Sequence, residues 1–161
     1  MRAGGIGEKE ILDQANLVGR HQCRGVAGAL HLDRLHQPLC RGDTAALPME
    51  RGEVDAVLGN MVLHHADDPP AAIREMTRVL KPGGRLVITD ADTHTHEWLR
   101  TEQHDRWLGF DRADIRRWFE QAGLDDVTVG DTHEICSPTS TCGTEAAITI
   151  FIAQGRKPIG E

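Results

Sequence analysis

Between Val54 and Thr89 two short apolar runs flank a single amphipathic stretch, and this arrangement limits the fold more than any other feature of the chain. Val54 to Leu58 and Leu86 to Thr89 have the length and composition of strands covered on both faces. Between them, Asp67-Asp68-Pro69-Pro70 offers a helix cap followed by proline in the first turn. Ala72, Ile73, Met76, Val79 and Leu80 then recur at steps of three and four, which makes one apolar stripe. Lys81 is expected to close the helix on the favourable side of its dipole, with Pro82-Gly83-Gly84 as the stop. Strand, helix and strand in this order read as a right-handed βαβ crossover.

The elements that follow extend the pattern. Asp111 is a cap candidate for a second helix, with Ile115, Trp118, Phe119 and Ala122 as its buried stripe and Gly123 as its end. Val127 to Val129 reads as a strand that runs on towards Ile135, and Ala146 to Ala153 as a longer one rich in β-branched residues. The Pro/Ser/Thr-rich link from Ser137 to Thr144 suits a hairpin loop between them, which predicts an antiparallel pair at the end of an otherwise parallel sheet. Residues 92–110 are polar, carry histidines, and interleave Trp98, Trp107 and Phe110. They are expected to be partly helical and to lie over the strand ends, either as a packing segment or as part of a substrate site. Towards the N-terminus, Glu8 to Val18 fits a helix closed by Gly19, while Val26 to Leu32 fits strand or helix equally.

A chain of 161 residues is one domain's worth, with enough length for one core. Acidic residues outnumber Lys and Arg by 25 to 18, which argues against a phosphate-backbone partner and for a small molecule. No apolar run has the length of a membrane span, and no secretory pattern is visible, so a cytoplasmic protein is expected. Cys23, Cys40, Cys136 and Cys142 have no zinc-type spacing and read as reduced thiols.

In open α/β sheets, ligands bind beyond the carboxyl ends of the strands. Asp43, in the Gly42-Asp43 turn, can accept a hydrogen bond from an exocyclic amine, and Thr44-Ala45-Ala46-Leu47 offers small and apolar atoms to a flat ring. An ordinary Gly-Asp turn is the other reading. Asn60 directly follows a strand, as a ligand contact or as a cap. His64 and His65 come just after it, and a histidine titrating near neutrality can serve as a base or simply line a pocket. His94, His96, Glu97 and His104 suggest a metal at first sight, but their spacing on a partly helical segment favours a polar surface, so no metal centre is expected there.

Taken in order, GDTAALP (42–48), VDAVLGN (54–60), MVLHHADDP (61–69), RVLKPGG (78–84), RLVITD (85–90) and ITIFIA (148–153) resemble the type 11 branch of class I S-adenosylmethionine-dependent methyltransferases. The resemblance runs from about Gly42 to Arg156 and implies a Rossmann-like α/β fold. That fold has a mostly parallel sheet, helices on both faces and an antiparallel strand pair at the C-terminal end. It also implies an enzyme that transfers a methyl group from S-adenosylmethionine to a small molecule. In that likeness Asp43 would hold the adenine amine beside Thr44 and Ala45, and Asn60 and Met61 would face the methionyl end. His64 and His65 would lie near the transfer site. Cys136 and Cys142 are similar in position to the late cysteines of metalloid-methylating relatives, although unpaired structural thiols are the favoured reading.

The family pattern departs at the start of the chain. Ala3-Gly4-Gly5-Ile6-Gly7 is the nearest counterpart of the cofactor's glycine loop, and Asp33 of the acid that holds the ribose. Only nine residues, 34 to 42, lie between Asp33 and Asp43, too few for the helix and strand that normally intervene. Residues 1–161 are therefore expected to form one domain whose portion 1–41 is truncated or diverged and whose portion 42–156 is recognisable. Strand edges exposed by such a loss would favour a homodimer. An inactive methyltransferase remnant serving as an interaction or dimerisation module, or a metalloid-binding protein, stay open as alternative functions.

Overall fold

The computed structural model describes residues 15–16 and 42–160. Its strands are β1 (Ala15–Asn16), β2 (Val54–Asn60), β3 (Leu80–Ala91), β4 (Asp125–Cys136) and β5 (Ile148–Arg156), and its helices α1 (Pro69–Val79), α2 (Trp98–Glu102) and α3 (Arg112–Gln121). They form one sheet in the order β1-β2-β3-β5-β4. β2 and β3 are parallel, while β5 runs antiparallel to both β3 and β4, so β2, β3 and β4 all point the same way. This is a mixed, Rossmann-like α/β sheet with the expected antiparallel pair at its C-terminal end.

The βαβ unit forms as its sequence predicts, with one change. Asp68 caps α1 by accepting from the Ala71 N–H at 3.0 Å, with proline in the first turn. Ala72, Ile73, Met76 and Val79 are buried against the sheet. The helix, however, stops at Val79, and the chain passes directly into β3, where Leu80 already pairs with Val54. Lys81 therefore lies in a strand and meets Asp55 at 3.0 Å instead of the helix terminus. The terminus is served from far along the chain: Lys157 Nζ donates to the carbonyls of Thr77 at 2.9 Å and Leu80 at 2.6 Å. Burial pulls the Lys157 ammonium below the usual lysine range.

α3 is capped by Asp111, whose carboxylate accepts from the Ala113 N–H at 2.7 Å, and it buries Ile115 and Phe119. α1 and α3 touch and share one face of the sheet. Val57, Leu86, Ile88, Phe151 and Ala153 point into the core beneath them. Leu58 and Ile152 point to the other face and are 38% and 36% exposed. Ala15 and Asn16 pair antiparallel with Gly59 and Leu58. They form a strand where the sequence pattern favoured a helix, because cross-strand pairing outweighs a weak helical periodicity. The remainder of that expected helix, the 26–32 element, Cys23, Cys40, the Gly4-Gly5 cluster and Asp33 lie outside the described residues.

Two ion pairs fasten the periphery. Arg112 grips Asp92 through Nε at 2.7 Å and Nη2 at 2.6 Å, and Thr149 Oγ1 donates to the same carboxylate. Glu75 and Arg78, one turn apart on α1, bind each other and also hold the 42–48 loop: Glu75 accepts from the Leu47 N–H at 2.9 Å, and Arg78 donates to the Met49 carbonyl at 2.7 Å. The Arg78 hydrogen bond holds the Glu75 carboxyl below the usual range against opposing burial. For Asp92, burial pushes upward, but Arg112 and Thr149 together prevail and its carboxyl is also lowered. A carboxylate with a lowered folded-state pKa contributes stability that is complete above its unfolded value and disappears as pH falls through the folded one. Arg78→Met and Arg112→Met should each lower stability at neutral pH by about 1–2 kcal/mol, after allowance for solvent screening. Each should also flatten the loss of melting temperature below about pH 4.5. Calorimetry from pH 7 to pH 2.5 measures both effects; an acid limb as steep as wild type in both variants would remove these pairs from the account.

Candidate functional site

The strand directions bring four chain segments to one edge of the sheet. β2 ends at Asn60, β3 at Ala91 and β4 at Cys136, and the oppositely running β5 begins there at Ile148. A cavity of about 210 Å³ opens at this edge. Met61, Ala91, Leu99 and Ile148 give it apolar walls, and His64, His65, His94 and Asp105 line its polar side. Such a position, beyond the carboxyl ends of parallel strands, is where α/β sheets bind ligands.

Asp90 organises the polar side. Its side chain is fully buried at the end of β3. Oδ2 accepts from the Leu63 N–H at 2.8 Å and the His64 N–H at 3.3 Å, and Oδ1 accepts from the Ala91 N–H at 2.8 Å. The His64 ring adds Nδ1 at 2.7 Å from Oδ1. These donors bend residues 63–65 into a 3-10 turn and fix the orientation of the imidazole. His64 Nε2 then faces Asp105, 3.8 Å from its Oδ1. His65 stacks at a tilt on His64 with ring centres 4.1 Å apart. Its Nδ1 is buried with no hydrogen-bond partner among the described residues.

Residues 92–110 do lie over the strand ends and are partly helical, as α2. Their path back to the sheet is pinned at Phe110, which pairs with Asp92. Gly109 just before it has φ of 72°, and a Cβ there would collide with the Asp92 carbonyl, so only glycine serves. The Arg106 and Trp107 N–H groups both donate to the His64 carbonyl, at 3.0 and 3.1 Å, and Trp107 Nε1 donates to the Ala66 carbonyl at 2.9 Å. Arg106 also pairs with Asp67. Trp107 is thus an anchor that holds Asp105 against the histidine turn. Burial raises the Asp105 carboxyl above its ordinary range, with the nearby histidines opposing. Burial lowers His94, and His96 beside it adds to the effect.

The residues singled out by sequence fall into two groups. Met61, His64 and His65 meet at the cavity. Met61 has φ of 50°, a left-handed conformation costly for a side chain with a Cβ, and its N–H is held by the Thr89 carbonyl at 2.8 Å. Asn60, the last residue of β2 and not the first beyond it, accepts from Thr89 Oγ1 at 2.6 Å. Asp43, Thr44 and Ala45 are not among the residues that line the cavity. Asp43 is exposed and caps its own turn, accepting from the Ala45 N–H at 2.8 Å, while Thr44 is buried. Cys136 lines the cavity, its thiol raised first by burial and then by Asp105, whereas Cys142 is exposed. Sequence reasoning missed Asp90 and Asp105. Asp90 carried a signal, since it continues the inward alternation of Leu86 and Ile88; Asp105, in a polar stretch, carried none.

Residues 15–88 match the sequence profile described as "Methyltransferase domain", type 11, a match that begins ahead of Gly42. A demethylmenaquinone methyltransferase from Mycolicibacterium paratuberculosis is 39% identical over 110 residues, covering 58% of this chain and 48% of its own length. Among solved structures, a putative methyltransferase from Bacillus halodurans superposes with a TM-score of 0.57 at 15% identity, covering 75% of this chain and 78% of that one. Phosphoethanolamine N-methyltransferase 2 from Haemonchus contortus, solved with S-adenosyl-L-methionine, gives 0.55 at 14% identity, covering 72% and 36%. This chain spans less than half the length of the curated relatives it matches. No helix among the described residues is long and apolar enough to cross a membrane. Residues 15–88 are thus similar in sequence to a methyltransferase domain, and the sheet shares the fold of class I S-adenosylmethionine-dependent methyltransferases.

Proposed function

We infer that this domain transfers a methyl group from S-adenosylmethionine to a small-molecule acceptor held in the cavity at the carboxyl edge of the sheet. The observation that carries the reading is the strand-end cavity itself, with Met61 on one wall and the Asp90-anchored His64 on another. The cofactor fits the residues beside it. Asp43 accepts one hydrogen bond within its own turn, and a carboxylate has further acceptor capacity for an adenine amine, with Thr44 and Ala45 alongside. Asn60 and Met61 end β2, where the methionyl portion would lie. When bound, S-adenosylmethionine supplies a sulfonium methyl open to in-line displacement.

The protein's own contribution is alignment. Fixing an acceptor within reach of the methyl removes orientational freedom before the chemical step, and such positioning supplies a large part of the rate in transfers of this type. Met61, Leu99 and Ile148 exclude water from the acceptor, and His64, its ring immobilised by Asp90, contacts the acceptor's nucleophilic atom. Demethylmenaquinone, the compound in the relatives' name, is the first acceptor to try.

Two measurements test this. S-adenosylhomocysteine at a hundredfold excess over its Kd should raise stability by about 2.7 kcal/mol. Asp43→Ala should weaken that ligand at least tenfold, the loss of about 1.4 kcal/mol expected for one hydrogen bond to a charged group. A melting temperature unmoved by saturating ligand would sink the reading. With an acceptor identified by release of S-adenosylhomocysteine, His64→Ala should cut turnover about a hundredfold while ligand binding changes less than threefold. Equal losses in binding and turnover would assign the histidine to the cofactor side instead.

A further inference from the structure

The geometry points to a transition-metal site in the wall of the same cavity, formed by His64, His65 and Asp105. Each of the three offers one ligand atom, and these atoms all lie within 4.8 Å of one another. One of these pairs, His64 Nε2 and Asp105 Oδ1, is 3.8 Å apart. Two ligands of a tetrahedral zinc ion, at bond lengths of about 2.0–2.1 Å, stand about 3.3 Å apart. Closure onto an ion thus asks for side-chain movements of about an ångström, with no change in the backbone.

Three further observations favour an ion over a chance cluster. First, His64 carries the outer support typical of a metal-binding imidazole: a buried carboxylate holds Nδ1 at 2.7 Å, which directs Nε2 outward as the ligating atom. Second, His65 Nδ1 is buried without a hydrogen-bond partner among the described residues, a costly state that coordination through that nitrogen would relieve. Third, the donors sit on a braced scaffold. The His64 carbonyl receives the N–H groups of Arg106 and Trp107, so Asp105 is tied to the histidine turn on its C-terminal side.

Two imidazoles and one carboxylate form a borderline set that suits Zn²⁺ or Co²⁺ rather than Mg²⁺ or Ca²⁺. Three protein ligands leave a fourth position open, and His64, His65 and Asp105 all line the cavity, so that position faces its interior. A small molecule entering the cavity could supply the fourth ligand through an oxygen or nitrogen atom. This site differs from the His94, His96, Glu97 and His104 group suggested by sequence spacing, and it stands whether or not the cavity accepts a methyl acceptor.

Chelator-stripped protein titrated with Co²⁺ tests it directly. Saturable visible absorption at one Co²⁺ per chain, with the intensity of four-coordinate cobalt and displaced by Zn²⁺, is the expected result. His65→Ala and Asp105→Asn, which leave the Asp90–His64 pair in place, should each weaken Co²⁺ at least tenfold. A His96→Ala/His104→Ala/His133→Ala variant, which removes histidines outside the cluster, should bind as wild type does. Circular dichroism of each variant confirms that it is folded, and either of the two single variants suffices. Absence of saturable Co²⁺ binding overturns the site, as does binding that persists unchanged in a folded His65→Ala or Asp105→Asn protein.

Discussion

A fully buried carboxylate, Asp90, is the point on which the cavity edge of this molecule depends. A charge at the end of a central strand carries a desolvation penalty of several kcal/mol unless donors surround it. Here three backbone N–H groups and one imidazole do so. Satisfying those donors shapes the chain as much as the charge: the Leu63 and His64 amides can reach Asp90 only if residues 63–65 turn tightly. That turn aims His64 into the cavity and offers its carbonyl to Arg106 and Trp107. One side chain of β3 thereby links the turn after β2 to the segment before α3. Removing the carboxylate would leave several buried donors without partners, so the cost would fall on the whole arrangement rather than on a single bond.

The loop of residues 42–48 is held by a separate device. Residues 42–48 are tied to α1 by the Glu75–Arg78 pair, which binds both the Leu47 amide and nearby carbonyls. α1 begins a few residues after the histidine turn and presents Glu75 and Arg78 two turns further on, so one helix carries the 42–48 loop while its preceding turn carries the cavity wall. The two groups of predicted site residues need not touch to be positioned together. Both are referenced to the same rigid βαβ unit.

That unit was the part most legible in the sequence, because its signals are local. Asp68 as cap and the 72–79 stripe act within a few residues and appear in the structure as expected, whereas Pro82-Gly83-Gly84, expected as the helix stop, lies within β3. The helix end was misread for a physical reason. Lys81 is suitably charged to cap α1, but strand pairing of Leu80 with Val54 begins too early, and Lys157, distant in sequence, reaches the carbonyls instead. Non-local partners explain the other omissions as well. Asp105 becomes a cavity residue only through contacts between residues 106–107 and His64, which no periodicity announces. The left-handed conformation of Met61 is equally silent, since nothing about a methionine favours it.

Strand alternation adds a last constraint on how the sheet works. β2, β3 and β5 each send every second residue into the core under α1 and α3, while Leu58 and Ile152 face the opposite side partly exposed. Because the side-chain period is two, Asp90 lies on the same face as Leu86 and Ile88, and its burial follows from theirs. A one-residue slip of β3 against β2 would carry Asp90 to the exposed face and Thr89 into the core. It would also separate the carboxylate from His64. Packing of Leu86 and Ile88 beneath the helices therefore sets the register, and the register in turn gives the cavity its chemistry. The apolar core and the polar site are two consequences of a single alternation along one strand.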